Sequence, residues 1–174
     1  MIIRSVTLVD IPHLVNLAQK TYSDTFGHTM SKEELQQALD ERSEEYFLSI
    51  INQDVVLVAE DNKQLVGFVQ FGNVTYKGVS PTDSDIELNK IYIEKSYQGK
   101  GIGKKLIEAM LGHDRLASVE NIYLDVFAKN ERAIGLYKKY GFQIIGKTPF
   151  KIKGQILGYD LLMKRENSVQ RKPE

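Results

Sequence analysis

The chain contains no cysteine. Disulfides, thiol nucleophiles and thiolate metal sites are thereby excluded, a pattern that fits an intracellular protein. It has no excess charge of either sign: 23 basic residues face 23 acidic ones. Neutralising phosphates needs a basic surplus or stripe, so nucleic-acid binding is not expected as the main activity. No apolar run approaches the ~20 residues that span a bilayer, so no membrane association is expected. The opening "MIIRSVTLVD" lacks the apolar core and small-residue cleavage site of a signal peptide, which makes a cytoplasmic location the expectation. Its three histidines, His13, His28 and His113, have no ligand spacing, and no metal is expected. Internal repeats and low-complexity linkers are also missing.

What remains is ordinary for a soluble domain: 174 residues, 42% hydrophobic and 26% charged. One domain is expected over residues 1–164, followed by a polar, disordered tail at 165–174. "IIRSV" reads as a strand. "TLVDIPHLVNLAQKTYSDTFG" reads as a helix with Thr7 and Asp10 spaced as a capping box, an apolar face at Ile11, Leu14, Val15, Leu17 and Ala18, and Gly27 as its stop. "SKEELQQALDE" opens with a second capping box, Ser31 and Glu34, and "SEEYFLSII" continues helical. "DVVLVAEDNKQLVGFVQFGNV" reads as a hairpin, and "DIELNKIYIEKSY" as a strand reaching about Tyr97. A basic amphipathic helix, the strand "NIYLDVFA", a helix from Asn130 to Gly141 and two final strands follow. The order implies an α/β (α+β) fold, a mixed sheet of six to seven strands flanked by about four helices.

The segment "SYQGKGIGKKL" places glycine at 99, 101 and 103, directly before a helix. A helix start carries unpaired N–H donors and partial positive charge. Glycines there let a polyanion such as a pyrophosphate reach the backbone, and Lys100, Lys104 and Lys105 add charge. Two phosphate motifs fail. A P-loop would need glycine at Gln98 and Ser or Thr at Lys105, and a dinucleotide fingerprint would need glycine at Lys104.

With Gln98, Gly101 and Gly103, "QGKGIGKKL" resembles the Q/R-x-x-G-x-G/A signature of the GNAT N-acetyltransferases. "NERAIGLYKKYGF" resembles their second hallmark through Asn130, Ala133, Tyr137, Tyr140, Gly141 and Phe142. "TYSDTFG" together with "NKIYIEKSYQGKGIGKKL" is similar to the bacterial spermidine/spermine group. The resemblance implies a centrally splayed sheet, acetyl-CoA as donor and a small-molecule amine, a polyamine first, as acceptor. It implies that the backbone of Gln98, Gly99, Lys100, Gly101, Ile102, Gly103 and Lys104 cradles the CoA pyrophosphate. The pantetheine would lie along Ile91, Tyr92 and Ile93, with Asn130 and Tyr137 as further cofactor contacts. Tyr137 would be the general acid and Glu87 the first candidate base. Tyr137 also fits a core aromatic, and Asn130 a helix N-cap. Glu87 also fits a solvated or ion-paired strand residue. Tyr22, Asp24 and Phe26, with Glu87, are the candidate acceptor contacts, and Asp83 and Asp85 precede Glu87. Protein or peptide acetylation and a non-catalytic CoA-binding module are the alternatives, in a monomer or homodimer.

Overall fold

The computed structural model describes residues 1–76, 79–152 and 155–167. Seven strands form one sheet in the order β1-β2-β3-β4-β5-β7-β6. The strands are β1 (Ile2–Ser5), β2 (Val55–Asp61), β3 (Gln64–Gly72), β4 (Asp85–Ile93), β5 (Asn121–Phe127), β6 (Gln143–Ile152) and β7 (Gln155–Glu166). The α-helices among the described residues are α1 (Ile11–Phe26), α2 (Lys32–Asp40), α3 (Glu44–Ile50), α4 (Ile102–Leu111) and α5 (Glu131–Lys139). No described helix is long and apolar enough to cross a membrane. The chain divides into two compact units, Met1–Gly72 with Lys90–Gly112, and Asn73–Asn89 with His113–Glu174.

In the first unit, both capping boxes form. Asp10 Oδ2 accepts from the Thr7 amide and hydroxyl at 2.8 and 2.7 Å, and Glu34 and Ser31 exchange bonds at 2.8 and 3.2 Å. The first turn, Leu8–Asp10, is 3₁₀ rather than α. α1 ends at Phe26 with Gly27 as its C-cap, as expected, although Gly27 keeps right-handed angles and leads into a 3₁₀ turn, Gly27–Thr29. β2 and β3 meet through Asn62 and Lys63, both at positive φ, the geometry of a tight hairpin. Both strands are buried on their two faces, which is why their apolar runs barely alternate. Ile11, Leu14, Leu17 and Ala18 of α1 pack with Phe47, Val56, Val58 and Phe68 as one core. A Cβ at Gly67 would stand 3.0 Å from the Tyr92 carbonyl and 3.4 Å from Leu106, so this glycine lets β4 and α4 close on β3.

In the second unit, β4 pairs with β5 in parallel for three residues, from Asp85–Asn121 to Glu87–Tyr123. β5 then runs antiparallel to β7 from Asn121–Glu166 to Phe127–Asp160. α5 ends in a Schellman turn: Phe142 N–H reaches Tyr137 O at 3.1 Å and Gly141 N–H reaches Lys138 O at 3.0 Å, with Gly141 at φ 86°. β7 continues through Arg165 and Glu166, two residues past the expected boundary. The rest of the expected tail, 168–174, lies outside the described residues, as do 77 and 78 of the expected loop.

Candidate active site

β4 stops at Ile93, four residues earlier than expected, because the backbone turns at Glu94 into a 3₁₀ turn, Lys95–Tyr97. Gln98 closes that turn. Its amide nitrogen donates to Lys95 O, and its side chain donates to Ile93 O at 3.2 Å. Gly99 and Gly101 follow at φ 85° and 79°, angles that disfavour any side chain. Gly101 is the N-cap of α4, and nothing caps the helix from a side chain. The first amide to bond back is Lys105, to Gly101 O at 3.2 Å. The amides of Ile102, Gly103 and Lys104 are therefore the uncapped donors of this helix start. A Cβ on Gly101 would meet no atom within 4 Å, so the space beside this glycine is open. Lys100 and Lys104 are exposed beside it.

Thr21, Asp24 and Thr25 of α1 line a cavity of about 140 Å³ with Ile93, Lys95 and Gln98. Asp24, an acceptor candidate, is thus brought to two donor-binding candidates. Tyr22 is not: Arg42 lies over its ring, and Phe26 packs beside it at 5.0 Å. Burial first, opposed by the Arg42 charge, raises the Tyr22 phenol above its ordinary value. The Tyr92 ring is an edge contact on Phe68 at 5.4 Å, so only its backbone is open to a ligand role.

In the second unit, Glu87 is 6% exposed rather than solvated. Its Oε2 accepts from Thr75 N at 2.6 Å and Thr75 Oγ1 at 3.0 Å. Asp85 is buried as well; desolvation pushes its pKa up, but bonds from Thr82 and Asn121 outweigh that and hold it below the carboxylate range. Asn130 caps α5, with Oδ1 accepting from Ala133 N at 3.2 Å. Tyr137 is 5% exposed and packs on Phe142 at 5.8 Å. Burial, then the charge of Asp125, pushes its phenol above the ordinary value near 10. Register puts Glu87, Asp125 and Asp160 on one sheet face, through the Glu87–Tyr123 and Phe127–Asp160 pairs. Burial and Asp125 also raise the Asp160 carboxyl. Sequence reading missed Asp125 and Asp160; their only signal is a carboxylate in the middle of each apolar strand.

Residues 11–142 match the acetyltransferase (GNAT) family. The chain belongs to that family. Spermine/spermidine N(1)-acetyltransferase of Bacillus subtilis is similar to this GNAT-family protein, 37% identical over 87 residues, which cover 49% of this chain and 57% of that one. The match therefore spans little more than half of that relative. N-alpha-acetyltransferase RimI of Mycobacterium tuberculosis is 35% identical over 77 residues, covering 42% of this chain and 47% of that one. Among solved structures, PaiA N-acetyltransferase from Thermoplasma acidophilum in complex with coenzyme A has the same fold, with a TM-score of 0.75. It is 21% identical, and the superposition covers 95% of this chain and 98% of that one.

Proposed function

We propose that this GNAT-family protein transfers the acetyl group of acetyl-CoA to a primary amine, with spermidine or spermine as the favoured acceptor. The observation that carries the reading is the uncapped start of α4. Gly99 and Gly101 take positive φ, no side chain caps the amides of Ile102, Gly103 and Lys104, and the space beside Gly101 is open. These donors suit the diphosphate of CoA. The Gln98 amide is already bonded to Lys95 O, unlike the expected donor role, so Gly99 and Lys100 complete the cradle. The backbone of Ile91, Tyr92 and Ile93 would hold the pantetheine, with the Ile93 amide polarising the acetyl carbonyl.

The donor supplies an activated thioester, and this chain's residues manage the protons. An alkylammonium has a pKa near 10 and must lose a proton before its nitrogen attacks. Glu87 is the proposed base, its carboxylate held in direction by Thr75. Tyr137 is the proposed proton donor to the leaving sulfur. Its raised pKa keeps the proton on oxygen at neutral pH. The thiol pKa is near 8.5, so complete transfer from such a phenol is uphill, and Tyr137 acts chiefly as a hydrogen-bond donor to the departing thiolate. Asn130, as N-cap, sets the helix that carries Tyr137 and contributes a cofactor contact. Support for a polycationic acceptor comes from the spermine/spermidine relative and from the carboxylates Glu87, Asp125 and Asp160 sharing a face. Asp24, with Tyr22 and Phe26 on the same helix, is the proposed contact for the rest of the acceptor.

The test is CoA release over a panel of polyamines, amino acids, aminoglycosides and peptides. Spermidine or spermine should give the highest kcat/KM. The likeness to RimI favours one other reading, acetylation of a protein N-terminus, and a peptide ranked first would select it.

A further inference from the structure

Parallel pairing of β4 ends at Glu87, and two residues later stands Asn89. Its Oδ1 is buried and accepts no hydrogen bond among the described residues. Other buried acceptors nearby are satisfied: Asp85 by Thr82 and Asn121, and one of the two Glu87 oxygens, Oε2, by Thr75. Arg42 Nε is the other buried atom without a partner among the described residues, but its guanidinium lies on the Tyr22 ring and bonds Ala38 O. Asn89 has no such compensation. A buried acceptor with no donor opposes folding unless something arrives to donate to it.

Strand alternation puts Asn89 on the face of Glu87, where Asp125 and Asp160 also lie. That face offers acceptors two residues apart along one strand, a spacing of about 7 Å that two side chains can close on a single nitrogen. A pantetheine amide carries one N–H and could satisfy only one of them. A primary amine carries two even when neutral. We propose that Asn89 Oδ1 accepts an N–H of the acceptor amine and holds its lone pair toward the acetyl carbon. The inference rests on the amine-acetylation reading above. Asn89 exchanges no proton: Glu87 has already taken the ammonium proton, the N–C bond forms, the C–S bond breaks with its electron pair leaving on sulfur, and the second nitrogen proton ends on that sulfur.

The experiment compares wild type, Asn89→Leu and Asn89→Asp, with spermidine as the amine. Asn89→Leu keeps the volume and removes the oxygen. It should raise the KM for spermidine about tenfold or more, the loss of one hydrogen bond in a buried site. The Kd for acetyl-CoA, by calorimetry, should stay within about twofold, and the melting temperature of the free protein should hold or rise. Asn89→Asp, which restores the acceptor, should recover most of the KM. Should Asn89→Leu not fold, Asn89→Ser carries the same comparison, its hydroxyl falling short of the amide oxygen. An unchanged spermidine KM, or acetyl-CoA binding weakened about tenfold, overturns the proposal. Wild-type protein inactive on every amine would instead sink the underlying reading.

Discussion

The guanidinium of Arg42 lies 3.6 Å from the centre of the Tyr22 ring. The ring of Tyr22, a candidate acceptor contact, therefore carries the chain's own cation. Arg42 also donates to Ala38 O, while Gln19 Nε2 donates to Leu39 O and Arg42 O at 3.1 and 3.3 Å. Together these bonds fasten the α2–α3 connection to α1.

Removing the cation should therefore cost stability before it alters chemistry. Arg42→Ala is expected to lower unfolding free energy by about 1 kcal/mol, the range of a partly desolvated cation–π contact. Urea denaturation measures it. If Tyr22 serves the acceptor, the same variant lowers the spermidine KM by baring the ring.

Gly101 separates backbone strain from ligand clash. At φ 79°, alanine should cost about 1–2 kcal/mol in stability, although its Cβ has room. Gly101→Glu should keep the fold and abolish acetyl-CoA stabilisation in a thermal-shift titration, because a carboxylate then occupies the anion's place.

Tyr137 gives an alkaline signature. Its folded pKa lies above the unfolded value near 10, through burial first and Asp125 second. Stability from keeping that proton is fully present below about pH 10 and is lost as pH rises through the folded value. Tyr137→Phe should flatten the fall in melting temperature above about pH 10, and should cut kcat far more than the acetyl-CoA affinity.

Arg4 and Asp10 give the acid counterpart. Arg4 bonds Asp10 through two nitrogens at 2.7 and 2.9 Å, and with Thr7 it holds the Asp10 carboxyl well below the usual range. Here the folded pKa is depressed, so the stability is present above the unfolded value near 4 and is lost as pH falls. Asp10→Asn should cost about 1–3 kcal/mol at neutral pH, and the difference from wild type should shrink below about pH 3. Urea titrations at several pH values test both statements.

Features set by neighbours in the chain were legible in the sequence. The capping boxes at Thr7–Asp10 and Ser31–Glu34 formed, the tight turn fell inside "EDNKQ", and α4 began beside Gly101. Features set by long-range contact were not. Glu87 looked solvated because nothing local announces that Thr75, twelve residues earlier, closes over it. Arg42 on Tyr22 joins positions twenty residues apart. Asp125 and Asp160 share a face only through the β5–β7 register. β4 ended early because Tyr97 N–H bonds Glu94 O at 2.8 Å, a turn that the polar "EKSY" does not distinguish from a strand end.

The most direct test of the account is a crystal structure of the protein with acetyl-CoA bound. The account predicts the diphosphate within hydrogen-bond distance of the amides of residues 99–104. A diphosphate held anywhere else, with those amides facing solvent, would contradict it.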